Sequence, residues 1–144
     1  MDKVMQTTDR YLERFGKALI GIYHLPPLAE NWKFTVFMNS LLVTLRRLDL
    51  MPVYTWFMDA AGGHCLILWL NGYFRNELSD ITPAVNRLWM IHSASRLTVI
   101  DCFSLSTENQ EYGQRRLRQF LYSPALNQPI TANWHQRTLG TSRF

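Results

Sequence analysis

Twelve of the 15 basic residues in this 144-residue chain are arginine, and five of them, Arg115, Arg116, Arg118, Arg137 and Arg143, fall after residue 111, where no acid remains. A guanidinium is a rigid planar fork that matches phosphate and carboxylate oxygens and stacks on bases. The first 111 residues are almost neutral, with ten basic against eleven acidic side chains. A basic end on a neutral body points to a polyanionic partner. Arg115 and Arg118 lie three apart, on one face of any helix that carries them. With Arg116 beside them, the three either contact phosphates, together with Arg137 and Arg143, or complement the helix C-terminal dipole. Trp134, His135 and Phe144 either stack on bases or anchor the tail.

Other reactive residue types are sparse. Cys65 and Cys102 each sit inside an apolar run, apart from any CxxC, and read as reduced, buried small hydrophobes. The four histidines, His24, His64, His92 and His135, have neither zinc-finger nor HExxH spacing.

The elements that must position these residues follow from periodicity. With 47% apolar and 18% charged residues, the chain is no disordered tail, coiled coil or disulfide-stapled mini-protein. Its longest apolar run, Cys65 to Leu70, is far short of the ~20 residues that span a bilayer, so no membrane partner is expected. The N-terminus is too polar for a signal peptide, which predicts a cytoplasmic location. A single domain over 1–144 is expected: an N-terminal helix (1–16), a core (17–104), and a basic helix with its tail (105–144).

Within that core, Ala18–Leu25 is predicted as a strand closed by Pro26-Pro27. Phe34, Phe37, Met38, Leu41, Leu42, Leu45 and Leu48 form the stripe of a helix over 30–50, with Asn31 as N-cap. Val53–Asp59 and His64–Asn71 read as a hairpin about Gly62-Gly63. The second of these strands is apolar on both faces, which predicts cover on both sides. Thr82-Pro83 opens a further helix, Leu97–Phe103 is a strand, and Thr107 with Gln110 starts the last helix, through Leu121. The order β-α-β-β-α-β, with a helix added at each end, predicts an α+β, ferredoxin-like fold: a four-stranded antiparallel sheet with two helices on one face. RNA-recognition domains share this order, but the strand His64–Asn71 has no match to their basic–Gly–aromatic motif.

Three segments go further. YTWFMDAAGGHCLILWLN (Tyr54–Asn71) resembles the core of the YagK/YfjJ prophage family, relatives of the filamentous-phage replication proteins of HUH type. QRRLRQFLYSP (Gln114–Pro124) sits where that family carries a Tyr-x-x-Lys motif, and RTLGTSRF (Arg137–Phe144) is similar to its closing Arg-x-x-Gly-x-Ser-Arg. The resemblance implies two histidines on one strand face holding a divalent metal, and a tyrosine that attacks the scissile phosphate. Aligned this way, Gly63 and Cys65 stand at the two histidine positions and His64 falls between them. The resemblance leaves Asp59 and His64 as the candidate metal ligands. Tyr122 matches the nucleophile, but Ala125 replaces the motif's lysine.

The resulting expectation is a non-catalytic relative of rolling-circle replication initiators that binds single-stranded or hairpin DNA or regulates replication or phage functions. No cofactor is then expected. The alternative, an active nickase using Tyr122, calls for Mg²⁺ or Mn²⁺. A third possibility is an interaction module whose partner is a host or phage protein.

Overall fold

The computed structural model describes residues 2–71 and 81–121, and the backbone of 135–137. Its elements run α1 (Asp2–Phe15), β1 (Lys17–Leu25), α2 (Trp32–Arg47), β2 (Val53–Met58), β3 (His64–Leu70), α3 (Thr82–His92), β4 (Thr98–Ser106), a 3-10 turn (Thr107–Asn109), α4 (Gln110–Leu121) and β5 (His135–Arg137). The sheet order is β4-β1-β3-β2-β5, with every neighbouring pair antiparallel. Its first four strands have the order that the β-α-β-β-α-β reading requires. The fifth, from the tail, extends the sheet at the β2 edge.

β3 organises the rest. All seven of its residues are buried, so both faces of the sheet must be covered. Leu66, Leu68 and Leu70 pack with Leu19, Tyr23 and Leu25 of β1 and with α2 and α3, through Phe37, Leu41, Leu45, Val85 and Trp89. Cys65, Ile67 and Trp69 face the other way, onto Ile20, Ile22, Phe57 and the two outer helices, through Val4, Tyr11, Leu117 and Phe120. Each fully buried Leu, Ile or Phe of this kind contributes roughly 1.5–3 kcal/mol of transfer free energy. Polar atoms inside the second layer are matched: Trp69 Nε1 donates to Thr8 Oγ1 at 2.9 Å, and that hydroxyl donates to the Val4 carbonyl at 2.9 Å.

Several element ends differ from the sequence expectation, each for a local reason. α2 stops at Arg47, because Leu50 N–H reaches back to the Leu45 carbonyl (3.1 Å) and Asp49 N–H to that of Arg46 (3.0 Å). This is the Schellman closure, with Asp49 in the left-handed position at φ 61° and Leu45 and Leu50 meeting in the core. Thr82 does not cap α3, whose N-cap is Ile81. The Thr82 hydroxyl shares a hydrogen bond with Tyr23 Oη instead (3.2 Å). The capping box before α4 is Ser106 with Asn109. Gln110, expected to complete that box with Thr107, donates to Asp9 Oδ1 on α1 (2.7 Å), as does Gln114 (3.0 Å).

Gly113 lets α4 settle onto β4, since a Cβ there would overlap the buried Leu105 side chain. Alanine is the better helix former by about 1 kcal/mol. Gly113→Ala is nonetheless expected to destabilise the fold by about 1–3 kcal/mol, because the buried Leu105 side chain must be displaced to make room. Chemical denaturation reads this directly, and a variant as stable as the parent would contradict the packing described.

Candidate nucleic-acid interface

α4 carries three of the five arginines, and the helix treats them differently. Arg116 is committed to the fold. Its Nε donates to Asp101 Oδ2 at 2.7 Å, its Nη2 to Asp101 Oδ1, and its Nη1 to Tyr112 Oη at 2.6 Å. The guanidinium also lies over the Phe103 ring, 4.6 Å from its centroid. A fork satisfied on both carboxylate oxygens and stacked on an aromatic face locks α4 to β4. Arg115 and Arg118 are exposed and have no ion pair or hydrogen-bond partner among the described residues. Arg115 borders an open groove of about 550 Å³ between α4 and the β4 edge, together with Ile100, Asp101, Tyr112, Arg116 and Phe120.

The remaining arginines lie elsewhere. Arg137 pairs by register with Trp56 at the β2 edge, so its backbone is four strands from β4. That is roughly 19 Å at the ~4.8 Å strand spacing. Arg143 and Tyr122 lie outside the described residues. The course of α4 is set by three of its residues. Gly113 sits against Leu105, Arg116 against Asp101, and Phe120 shares the groove with Ile100, so the helix runs back along β4. It ends toward the part of the sheet where Thr98 faces His24.

At that end the structure separates Asp59 from His64. Asp59 organises the hairpin: its Oδ1 accepts from the N–H groups of Ala61 (2.9 Å) and Gly63 (2.8 Å), and Gly62 turns the chain at φ 90°. Its Oδ2 meets His24 Nε2 at 3.2 Å. His24 stands opposite Cys65, while His64 stands opposite Leu25. Alternation therefore puts His24 and His64 on opposite faces of the sheet. His64 is only 3% exposed, stacked on Phe34 (centroids 3.9 Å apart, planes 7° apart) and edge-on to Trp56, and its Nδ1 has no partner.

The two positions that the resemblance would give to histidines have equally clear surroundings. A Cβ on Gly63 would come within 2.9 Å of Asp59 Oδ2 and 3.1 Å of His24 Nε2, so the His24–Asp59 pair fills that space. Cys65 is fully buried within the apolar layer, and burial pushes its thiol pKa up. Among the described residues no group of three or more His, Cys, Asp and Glu side chains is placed to hold a metal. The sequence pattern gave no sign of His24. Nothing local marks it, and only the β1–β3 register brings it beside the hairpin turn.

Comparison of the chain with protein-family models, with curated proteins and with solved structures finds no significant match. Among the described residues no helix is long and apolar enough to cross a membrane.

Burial lowers the His64 pKa from 6.5 to about 4, against a smaller opposing effect of the Asp59 carboxylate. As pH falls, the unfolded chain takes up this proton before the folded one does. The stability held above the unfolded value is therefore lost between about pH 6.5 and pH 4. Between about pH 7.5 and pH 5 the loss from this one group is about 2 kcal/mol. Urea unfolding at both pH values should show that difference in the parent and a flatter response in His64→Phe. Parallel pH curves for the two proteins would remove His64 as the cause.

Proposed function

We propose that this chain binds single-stranded or hairpin DNA through the exposed arginine face of α4 and does not cut it. In this reading it is a prophage-derived, non-catalytic relative of rolling-circle replication initiators that serves replication or phage regulation. The observation that carries the proposal is the division of labour on α4: Arg116 holds the helix in place, while Arg115 and Arg118 face outward without acidic partners among the described residues. Such side chains contact phosphates, position a strand without reading its sequence, and release counterions. Arg137 and Arg143 extend the basic character along the chain after α4. The non-catalytic part of the reading draws on Asp59 being occupied by its turn and by His24, and on His64 being enclosed among rings.

One observation favours a second reading. α4 ends toward the His24–Asp59 pair, one residue before Tyr122 in the sequence. An active nickase would then show Mg²⁺- or Mn²⁺-dependent cleavage of single-stranded DNA and a covalent adduct that Tyr122→Phe abolishes.

Fluorescence anisotropy with single-stranded and hairpin oligonucleotides across a salt series tests the main proposal. The double variant Arg115→Ala/Arg118→Ala should reduce the slope of log K against log salt by about 1.4, or ~0.7 for each phosphate of a single strand that is no longer neutralised. Arg116→Ala should instead appear as a lowered unfolding temperature. Absence of binding at low salt, or a salt slope the double variant leaves unchanged, would refute the proposal.

A further inference from the structure

Among the described residues, six of the ten large apolar side chains left exposed lie on one helical layer. They are Trp32, Val36 and Val43 of α2, Leu48 just past its end, and Met90 and Ile91 of α3. Trp32 is 59% exposed and Ile91 72%. The two helices pack on the same side of the sheet, with Phe37 edge-on to Trp89 between them, so their outer faces form one surface. Single exposed apolar residues are ordinary, but a contiguous apolar patch marks an interaction site.

The exposed stripe of α2 is self-complementary. At 3.6 residues per turn, Trp32, Val36, Asn39, Ser40, Val43 and Arg47 fall within about 100° of the helix surface. That arc lies away from the buried Phe34, Phe37 and Leu41. Val36 and Val43 are equidistant from the point between Asn39 and Ser40, and so are Trp32 and Arg47. A second α2 laid antiparallel about a two-fold axis through that point would set Val36 against Val43 of the other copy, twice. It would also set the Trp32 ring against the Arg47 guanidinium, twice, a cation–π pairing. The short side chains of Asn39 and Ser40 fall at the crossing, where two backbones approach most closely. Trp32 is already fixed in place, since its Nε1 donates to Glu30 Oε2 and the Lys33 ammonium lies 5.9 Å from its ring centroid.

We infer that this face is the interface of a two-fold homodimer, with α2 packed antiparallel on α2 of a second copy. Parallel pairing would bring Arg47 onto Arg47. Antiparallel pairing gathers Glu30 and Lys33 of one copy with Arg46, Arg47 and Asp49 of the other, so neither end carries a single sign of charge. The exposed Glu30 and Asp49, one at each end of the stripe, make an anionic lipid surface or a nucleic acid a poorer occupant. α2 and α3 have 16 and 11 residues, or lengths of about 24 and 16 Å. With a helix width of ~10 Å the footprint is roughly 400 Å² per copy, at the small end of specific interfaces. Dimerisation is therefore expected at about 10–100 µM. The interface lies on the opposite side of the sheet from α4 and is independent of the DNA reading.

Sedimentation velocity of the full chain from about 1 to about 500 µM should show monomer and dimer in exchange. Val36→Glu and Val43→Lys each place a charge at a position that is already exposed, so the fold should persist, as circular dichroism melting would show. Each variant alone should dimerise at least about tenfold more weakly. An equimolar mixture of the two should recover dimer. Antiparallel pairing sets position 36 of one copy against position 43 of the other and leaves the second valine pair intact. Arg115→Ala/Arg118→Ala should dimerise like the parent, which separates this interface from the DNA-contacting face. A monomer throughout the range, a dimer that both single variants leave unchanged, or a mixture no more dimeric than its components would each overturn the inference.

Discussion

The central constraint is that β3 has no solvated side. A strand of this kind cannot rest on the single helical layer that suffices for a half-buried sheet, because half its side chains would then face water. The two helices inside the β-α-β-β-α-β order cover Leu66, Leu68 and Leu70. The helices added at the ends cover Cys65, Ile67 and Trp69. α1 and α4 are therefore part of the core, and the basic face of α4 is held rigidly because its opposite face is packed.

This constraint also accounts for what was legible in the sequence. The apolar run from Cys65 to Leu70 and the 3.6-residue stripe from Phe34 to Leu45 are global burial signals, and the elements they mark formed where expected. The α+β class and the order of the four core strands followed from them. Element ends were less legible, because they depend on partners distant in sequence. Gln110 leaves its expected capping role for Asp9, and Thr82 leaves its own for Tyr23. The closure of α2 by Asp49 had no local flag, since glycine is the usual residue at that position.

The candidate site was legible in composition but not in geometry. A run such as QRRLRQ announces charge, yet nothing in it distinguishes Arg116, spent on Asp101 fifteen residues earlier, from its exposed neighbours Arg115 and Arg118. The same limit applies at the hairpin. Asp59 and His64 are five residues apart and read as a pair, but strand alternation sends them to different surroundings, and a histidine from β1 takes the carboxylate. Chemistry built across strands is set by register, which a linear pattern encodes only indirectly.

The clasp between α1 and α4 has a consequence for how the chain comes together. Asp9 receives Gln110 and Gln114 from more than one hundred residues away. During synthesis the layer over Leu66, Leu68 and Leu70 can close once α3 has emerged. The opposite face, with Trp69 and Ile67, keeps only α1 until α4 arrives. The nascent protein thus carries a half-covered sheet for the time needed to add about thirty residues, a few seconds at ~5–20 residues per second. The helix that presents the arginines is also the one that ends this exposure, so the basic face takes its folded form only when the core is complete.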